Sequence, residues 1–216
     1  MKQLHIITPV KDSIELTLQT IESILSSDFT VPYHYYVYND FSTDENTARL
    51  REASEKMGFE LINLSDLTDH PSPNYLLILQ TAQQKAIAAD AGLLIVESDV
   101  IVKKHTLQSL FDGALARPDC GIAAAVTVDE QENINYPYLY AKGKEGKVFP
   151  EKKHLSFCCS LLTLLFLKSF DFHQLDPEKN WHDVTISHRS LEKGFTNYLF
   201  TTLTVWHLSL IHISEP

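Results

Sequence analysis

The chain has 216 residues, 44% hydrophobic and 21% charged, a globular composition that excludes disorder and low-complexity behaviour. Eighteen Lys and Arg against twenty-eight Asp and Glu give a net charge of −10, which argues against wrapping nucleic acid or lying on an anionic membrane. A nucleotide ligand stays open, because a metal ion and a few backbone donors can hold one.

Elements alternate from the amino terminus onward. The apolar run at 4–7, ended by Thr8-Pro9, reads as a strand entering a turn. Ile14, Leu18, Ile21 and Leu25 recur at helical spacing. A β-rich run at 35–38 stops at Asn39-Asp40. Thr43 or Asp44 then caps a helix that Gly58 closes. Residues 59–64 read as strand, 75–89 as helix, 93–96 as strand running into Glu97-Ser98-Asp99, 106–116 as helix and 122–128 as strand. Three or more strand–helix alternations predict an α/β fold: one domain with a mixed, mostly parallel sheet flanked by helices. Beyond Asp129 the pattern changes. Tyr136–Tyr140, the turn around Gly143 and Gly146, and Val148-Phe149 suggest a hairpin. An apolar run at 155–167 follows, then a helix at 183–192 closed by Gly194, and a strand at 198–206.

The three cysteines, Cys120, Cys158 and Cys159, are odd in number and read as buried small hydrophobes in a reducing compartment. The opening MKQLHIITPV has no cleavable leader pattern. The thirteen residues of 155–167 fall short of the ~20 that span a bilayer. The expectation is therefore a cytoplasmic protein without a transmembrane segment, peripheral contact with the inner face of the membrane being compatible with it. Residues 209–216 read as a non-native or truncated tail and are set apart from the fold.

In open α/β sheets, ligands bind beyond the carboxyl ends of the strands. Two such ends carry acids here: Asp40 after Tyr-Tyr-Val-Tyr, and Glu97 and Asp99 after Leu-Leu-Ile-Val. Crowded carboxylates repel unless a cation joins them, and oxygen ligands suit Mg²⁺ or Mn²⁺ shared with a phosphate-bearing substrate. The alternative is that each acid caps the next helix or faces solvent. Phosphate-loop and dinucleotide-binding glycine motifs are missing after the first strand, as are a nucleophile elbow and any zinc spacing.

Taken together, several segments resemble the family 2 glycosyltransferases. Ile6-Ile7-Thr8-Pro9-Val10-Lys11-Asp12 is similar to the family's first strand and turn. Asn39-Asp40-Phe41-Ser42-Thr43-Asp44 is similar to its Asp-Asp-Gly-Ser-Thr-Asp segment. Val96-Glu97-Ser98-Asp99 falls where the family has Asp-x-Asp. The run from Trp181 to Arg189 resembles its Glu-Asp-Val-Asp-Leu-Ser-x-Arg helix, and Val205-Trp206-His207 its late His. The likeness runs over about residues 3–208.

The resemblance implies a GT-A fold over 1–208, with a nucleotide-sugar half at 1–128 and an acceptor half at 129–208. It implies inverting transfer of a sugar from a nucleoside-diphosphate sugar to a hydroxyl of a saccharide or lipid-linked acceptor. Asp183 would be the catalytic base, and Glu97, Asp99 and His207 would hold Mn²⁺ or Mg²⁺. Pro9, Val10, Asp40 and Ser98 would line the nucleotide pocket. Arg189 would brace its helix by ion pairing, and Tyr136, Tyr138 and Tyr140 are offered as sugar-stacking rings. Departures from the pattern are Glu97 for the first Asp, Phe41 for the Gly, His182 for the first acid of the Glu-Asp pair, and Thr185 for the later acid. Alternatives are an N-cap role for Asp183, a core role for His207, a nucleotidyltransferase, and a non-catalytic nucleotide- or sugar-binding member of the fold.

Overall fold

The computed structural model describes residues 1–208. Among the described residues nine strands form one sheet: β1 (Leu4–Val10), β2 (Tyr33–Asn39), β3 (Glu60–Asn63), β4 (Gly92–Val96), β5 (Val100–Val102), β6 (Cys120–Val128), β7 (Val148–Pro150), β8 (Cys159–Leu162) and β9 (Thr196–His207). The helices are α1 (Ile14–Leu25), α2 (Asp44–Met57), α3 (Tyr75–Ala88), α4 (Thr106–Leu115), α5 (Leu164–Ser169) and α6 (His182–Glu192). The strand order is β3-β2-β1-β4-β8-β6-β9-β5, with β7 added to β9. The β3-β2-β1-β4 half is parallel throughout, as strands joined by crossover helices must be. Strand β8 is antiparallel between β4 and β6, and β9 runs parallel to β6 but antiparallel to β5 and β7. This is the mixed α/β sheet that the alternating elements predict.

Alternation along the strands divides the core between the two faces of the sheet. Strand β1 sends Leu4, Ile6 and Val10 to one face and Ile7 to the other; β4 sends Leu94 and Val96 one way, Leu93 and Ile95 the other. Ile14, Ile21 and Ile24 of α1, Leu50 of α2 and Leu107 and Leu110 of α4 cover the first face. Ile78 and Leu79 of α3, Phe166 of α5 and Ile186 of α6 cover the second. Thr43, one of the two expected caps, starts α2 by accepting from the Asn46 amide at 3.3 Å. Gly58 stops the helix in a left-handed turn at φ +81°.

The hairpin expected between 136–140 and 148–149 does not form. Residues Leu139–Ala141 make a 3₁₀ turn, and Tyr138 is buried with its hydroxyl donating to the Ser156 carbonyl at 3.1 Å. Strand β7 pairs instead with β9, Val148 opposite Phe200, because β6 takes only one edge of β9 at Tyr198–Phe200 and leaves the other edge open. The sequence halves 1–128 and 129–208 share this sheet, since β9 lies against β6. The tail at 209–216 lies outside the described residues. Among the described residues no helix is long and apolar enough to cross a membrane.

Candidate active site

The carboxyl ends of β1, β2 and β4 meet at one edge of the sheet. The Asp40 amide donates to the Val10 carbonyl at 2.8 Å, which joins the first two strand ends. Pro9, Val10, Asp40, Glu97, Ser98 and Asp99 line one cleft of about 410 Å³ together with Lys11, Ser72, Pro73 and Tyr75. A second cleft, of about 690 Å³, contains Asp183, His182, Phe157 and Asn74. Glu97, Tyr75 and Pro73 line both, so the two cavities adjoin at Glu97.

Asp40 is only 6% exposed, and both its oxygens are engaged. Oδ2 accepts from the Ser72 hydroxyl at 2.7 Å and the Asn74 amide at 2.8 Å; Oδ1 accepts from the Asn74 side chain at 2.8 Å. The carboxylate thus fixes the segment that leads into α3 and forms the wall between the clefts. The spacing of the sequence gives no sign of this clamp, because Ser72 and Asn74 sit in an irregular stretch. Phe41, beside it, has φ +56°, a left-handed conformation that a glycine adopts freely. Its ring packs against the core.

Asp99 and His207 are brought together by β5, which pairs Val100 with His207. The His207 Nε2 lies 3.3 Å from Asp99 Oδ2, and Nδ1 is 3.5 Å from the Tyr136 carbonyl. Burial opposes charge on this imidazole, but the hydrogen bond to Asp99 and its charge outweigh burial and raise the pKa above the usual histidine value. Glu97 is pushed above the usual carboxylate range, first by burial and then by the Asp99 charge, against the opposing Cys158 hydrogen bond and His207. Cys158 Sγ lies 3.5 Å from Glu97 Oε2. Ligand atoms of Glu97, Cys158 and His207 all fall within 4.8 Å of one another. One carboxylate, one thiol and one imidazole at this spacing fit a divalent cation, whereas Asp99, the other expected ligand, lies outside this trio and meets it through His207. Composition marks Cys158 only as a buried residue, which it is; its place beside Glu97 comes from the pairing of β4 with β8.

Asp183 stands in the first turn of α6, which Trp181 precedes as N-cap residue without a side-chain capping bond. The N-cap alternative for Asp183 is thereby removed, although its Oδ1 accepts from the Val184 amide at 2.8 Å. His182 is buried and stacks on Tyr75, ring centroids 6.4 Å apart. Burial lowers its pKa, against the opposing Asp183 charge. Tyr75, which the sequence does not single out, has a buried hydroxyl without a hydrogen-bond partner among the described residues. Burial, then Glu97 and Asp183, push its pKa well up. Arg189 pairs with Glu192 at 2.6 Å, the bracing expected of it. Tyr138 is core and is corrected as a sugar-stacking ring, whereas Tyr136 is 63% exposed.

No protein family and no curated protein matches the chain by sequence. Among solved structures, TarS 1-349 of S. aureus superposes with a TM-score of 0.70 at 17% identity, over 97% of this chain and 61% of that one. The same fragment has been solved with UDP and with UDP-GlcNAc. The mannosyltransferase PcManGT of Pyrobaculum calidifontis, in complex with GDP-Man and Mn²⁺, gives a TM-score of 0.70 at 14% identity, over 96% of this chain and 56% of that one. The chain therefore shares the fold of these structures. The chain spans about three fifths of the length of these structures.

Proposed function

We propose that the chain is an inverting, metal-dependent glycosyltransferase of the family 2 type. It moves a sugar from a nucleoside-diphosphate sugar to a hydroxyl of a saccharide or lipid-linked acceptor. The observation that carries this reading is the adjoining pair of clefts, strand-end acids in one and Asp183 in the other, with Glu97 between. The 1–128 half supplies most of the donor cleft and the 129–208 half supplies Asp183. UDP- and GDP-sugars are the donors to test first, since the fold neighbours TarS and PcManGT are solved with such compounds.

In this scheme the nucleoside lies along Pro9, Val10 and Ser98, and Asp40 holds the 72–74 wall of its pocket. Asp183 takes the proton of the acceptor hydroxyl as that oxygen attacks the anomeric carbon from the side opposite the leaving diphosphate. Glu97, Asp99 and His207 would hold Mn²⁺ or Mg²⁺, which when bound offsets the charge of the departing diphosphate. Tyr75 and His182 stack on each other beside the junction of the clefts.

Asp183→Asn and Asp99→Asn are both expected to fold. The loss of the base should lower sugar transfer by about 10²–10⁴-fold. Release of nucleoside diphosphate from UDP- and GDP-sugars, followed with Mn²⁺, reads this directly. Undiminished transfer by Asp183→Asn removes the base assignment. Donor binding without any release by the unaltered chain favours a binding-only protein.

A further inference from the structure

Chemistry at the Glu97 end of the donor cleft is not confined to oxygen and nitrogen. Backbone pairing sets Cys158 opposite Glu97: Val96 faces Cys159 across β4 and β8, and the Glu97 amide donates to the Cys158 carbonyl at 3.1 Å. The thiol is 3% exposed, 3.5 Å from Glu97 Oε2 and 3.2 Å from the Ser156 hydroxyl. His207 arrives from β9, and its ring nitrogen lies within 4.8 Å of both the sulfur and the Glu97 carboxylate. Ligand atoms 2.0–2.3 Å from one tetrahedral ion stand roughly 3.5 Å apart, so small rotamer adjustments bring this trio onto a single cation.

We propose that Cys158 is a sulfur ligand of the cation site, beside Glu97 and His207, and that it turns the site toward thiophilic divalent ions such as Zn²⁺ or Co²⁺ and away from Mg²⁺. This rests on the reading of Glu97 and His207 as metal ligands and names the ion class that the site selects. Thiolate sulfur binds soft and borderline cations, whereas Mg²⁺ requires hard oxygen donors in a near-octahedral shell. Coordination replaces the thiol proton, which passes to solvent, and the Cys158 hydrogen bond to Glu97 gives way to a shared ion. Cys120 and Cys159 are also buried and free, but neither belongs to this cluster.

Titration of the purified chain with Co²⁺ alone, followed by absorption, provides a readout independent of activity. The expected result is saturable binding with a sulfur-to-cobalt charge-transfer band. That band should vanish in Cys158→Ser and Cys158→Ala and persist in Cys159→Ser. Weaker Co²⁺ binding should survive in both Cys158 variants, and the preference for Zn²⁺ over Mg²⁺ in competition should fall at least about tenfold. Thermal melting of each variant checks that it remains folded. Cobalt d–d bands without the charge-transfer band in the unaltered chain overturn the sulfur ligand and leave the metal site standing. Absence of any Co²⁺ binding removes both.

Discussion

The Asp40 carboxylate accepts three hydrogen bonds from Ser72 and Asn74 while nearly buried, and this determines what its loss does. Asp40→Ala leaves those donors without an acceptor in a protected position, at a cost of about 3 kcal/mol. Urea denaturation should show this as a fall in midpoint with an unchanged slope. A change below about 0.5 kcal/mol, the usual range of a surface substitution, contradicts the clamp. His5 gives a second test. Burial, then the neighbouring His34 and Lys85, lower its pKa from 6.5 to about 4 in the fold. The unfolded chain therefore takes up the proton first as pH falls, and stability declines between pH 6.5 and about 4 on account of this ring. His5→Gln should lose stability less steeply than the unaltered chain over that window. Equal slopes would rule out the contribution. At Phe41 the sequence shows only a bulky residue, and the φ of +56° shows that the turn takes a left-handed form there.

Helix α6 carries Asp183, and its seat on β6 depends on a missing side chain. A Cβ at Gly121 would lie 2.1 Å from the Ser190 Oγ and 2.7 Å from the Phe195 Cβ, contacts that force the helix end off the strand. Gly121→Ala is expected to destabilise by about 1–3 kcal/mol and to lower turnover, as Asp183 shifts with its helix. Differential scanning calorimetry with a transfer assay measures both; a variant with unaltered melting contradicts this packing. Strands β1, β2, β4 and β6 were legible because each is a short apolar run that ends in turn residues. Helices α1 and α2 were legible from period and cap. Strand β5 was not, because three residues carry no period, and β7, read at Val148-Phe149, was given the wrong partner because β9 lies far along the chain. The same distance misled the reading of 136–149 as a hairpin: a local turn signal does not compete with an open edge on a twelve-residue strand.

Across the whole molecule, the acids Asp40, Glu97 and Asp99 were visible as a group because they follow strand runs, and a parallel sheet gathers strand ends at one edge. Cys158, Tyr75 and the Ser72–Asn74 segment were not visible as site residues. Cys158 is 61 residues from Glu97, and only the antiparallel insertion of β8 beside β4 brings them together. The acids Asp40, Glu97 and Asp99 gather in this cleft, where the proposed cation and diphosphate would bind together. Isothermal titration of the unaltered chain with UDP, GDP and dTDP, each with and without Mn²⁺, is the most direct test of that claim. At least one nucleotide should bind, and omission of the metal or the Asp99→Asn substitution should weaken it at least about tenfold, 1.4 kcal/mol. Failure of all three nucleotides to bind in either condition, or binding of equal strength with and without metal, would contradict it.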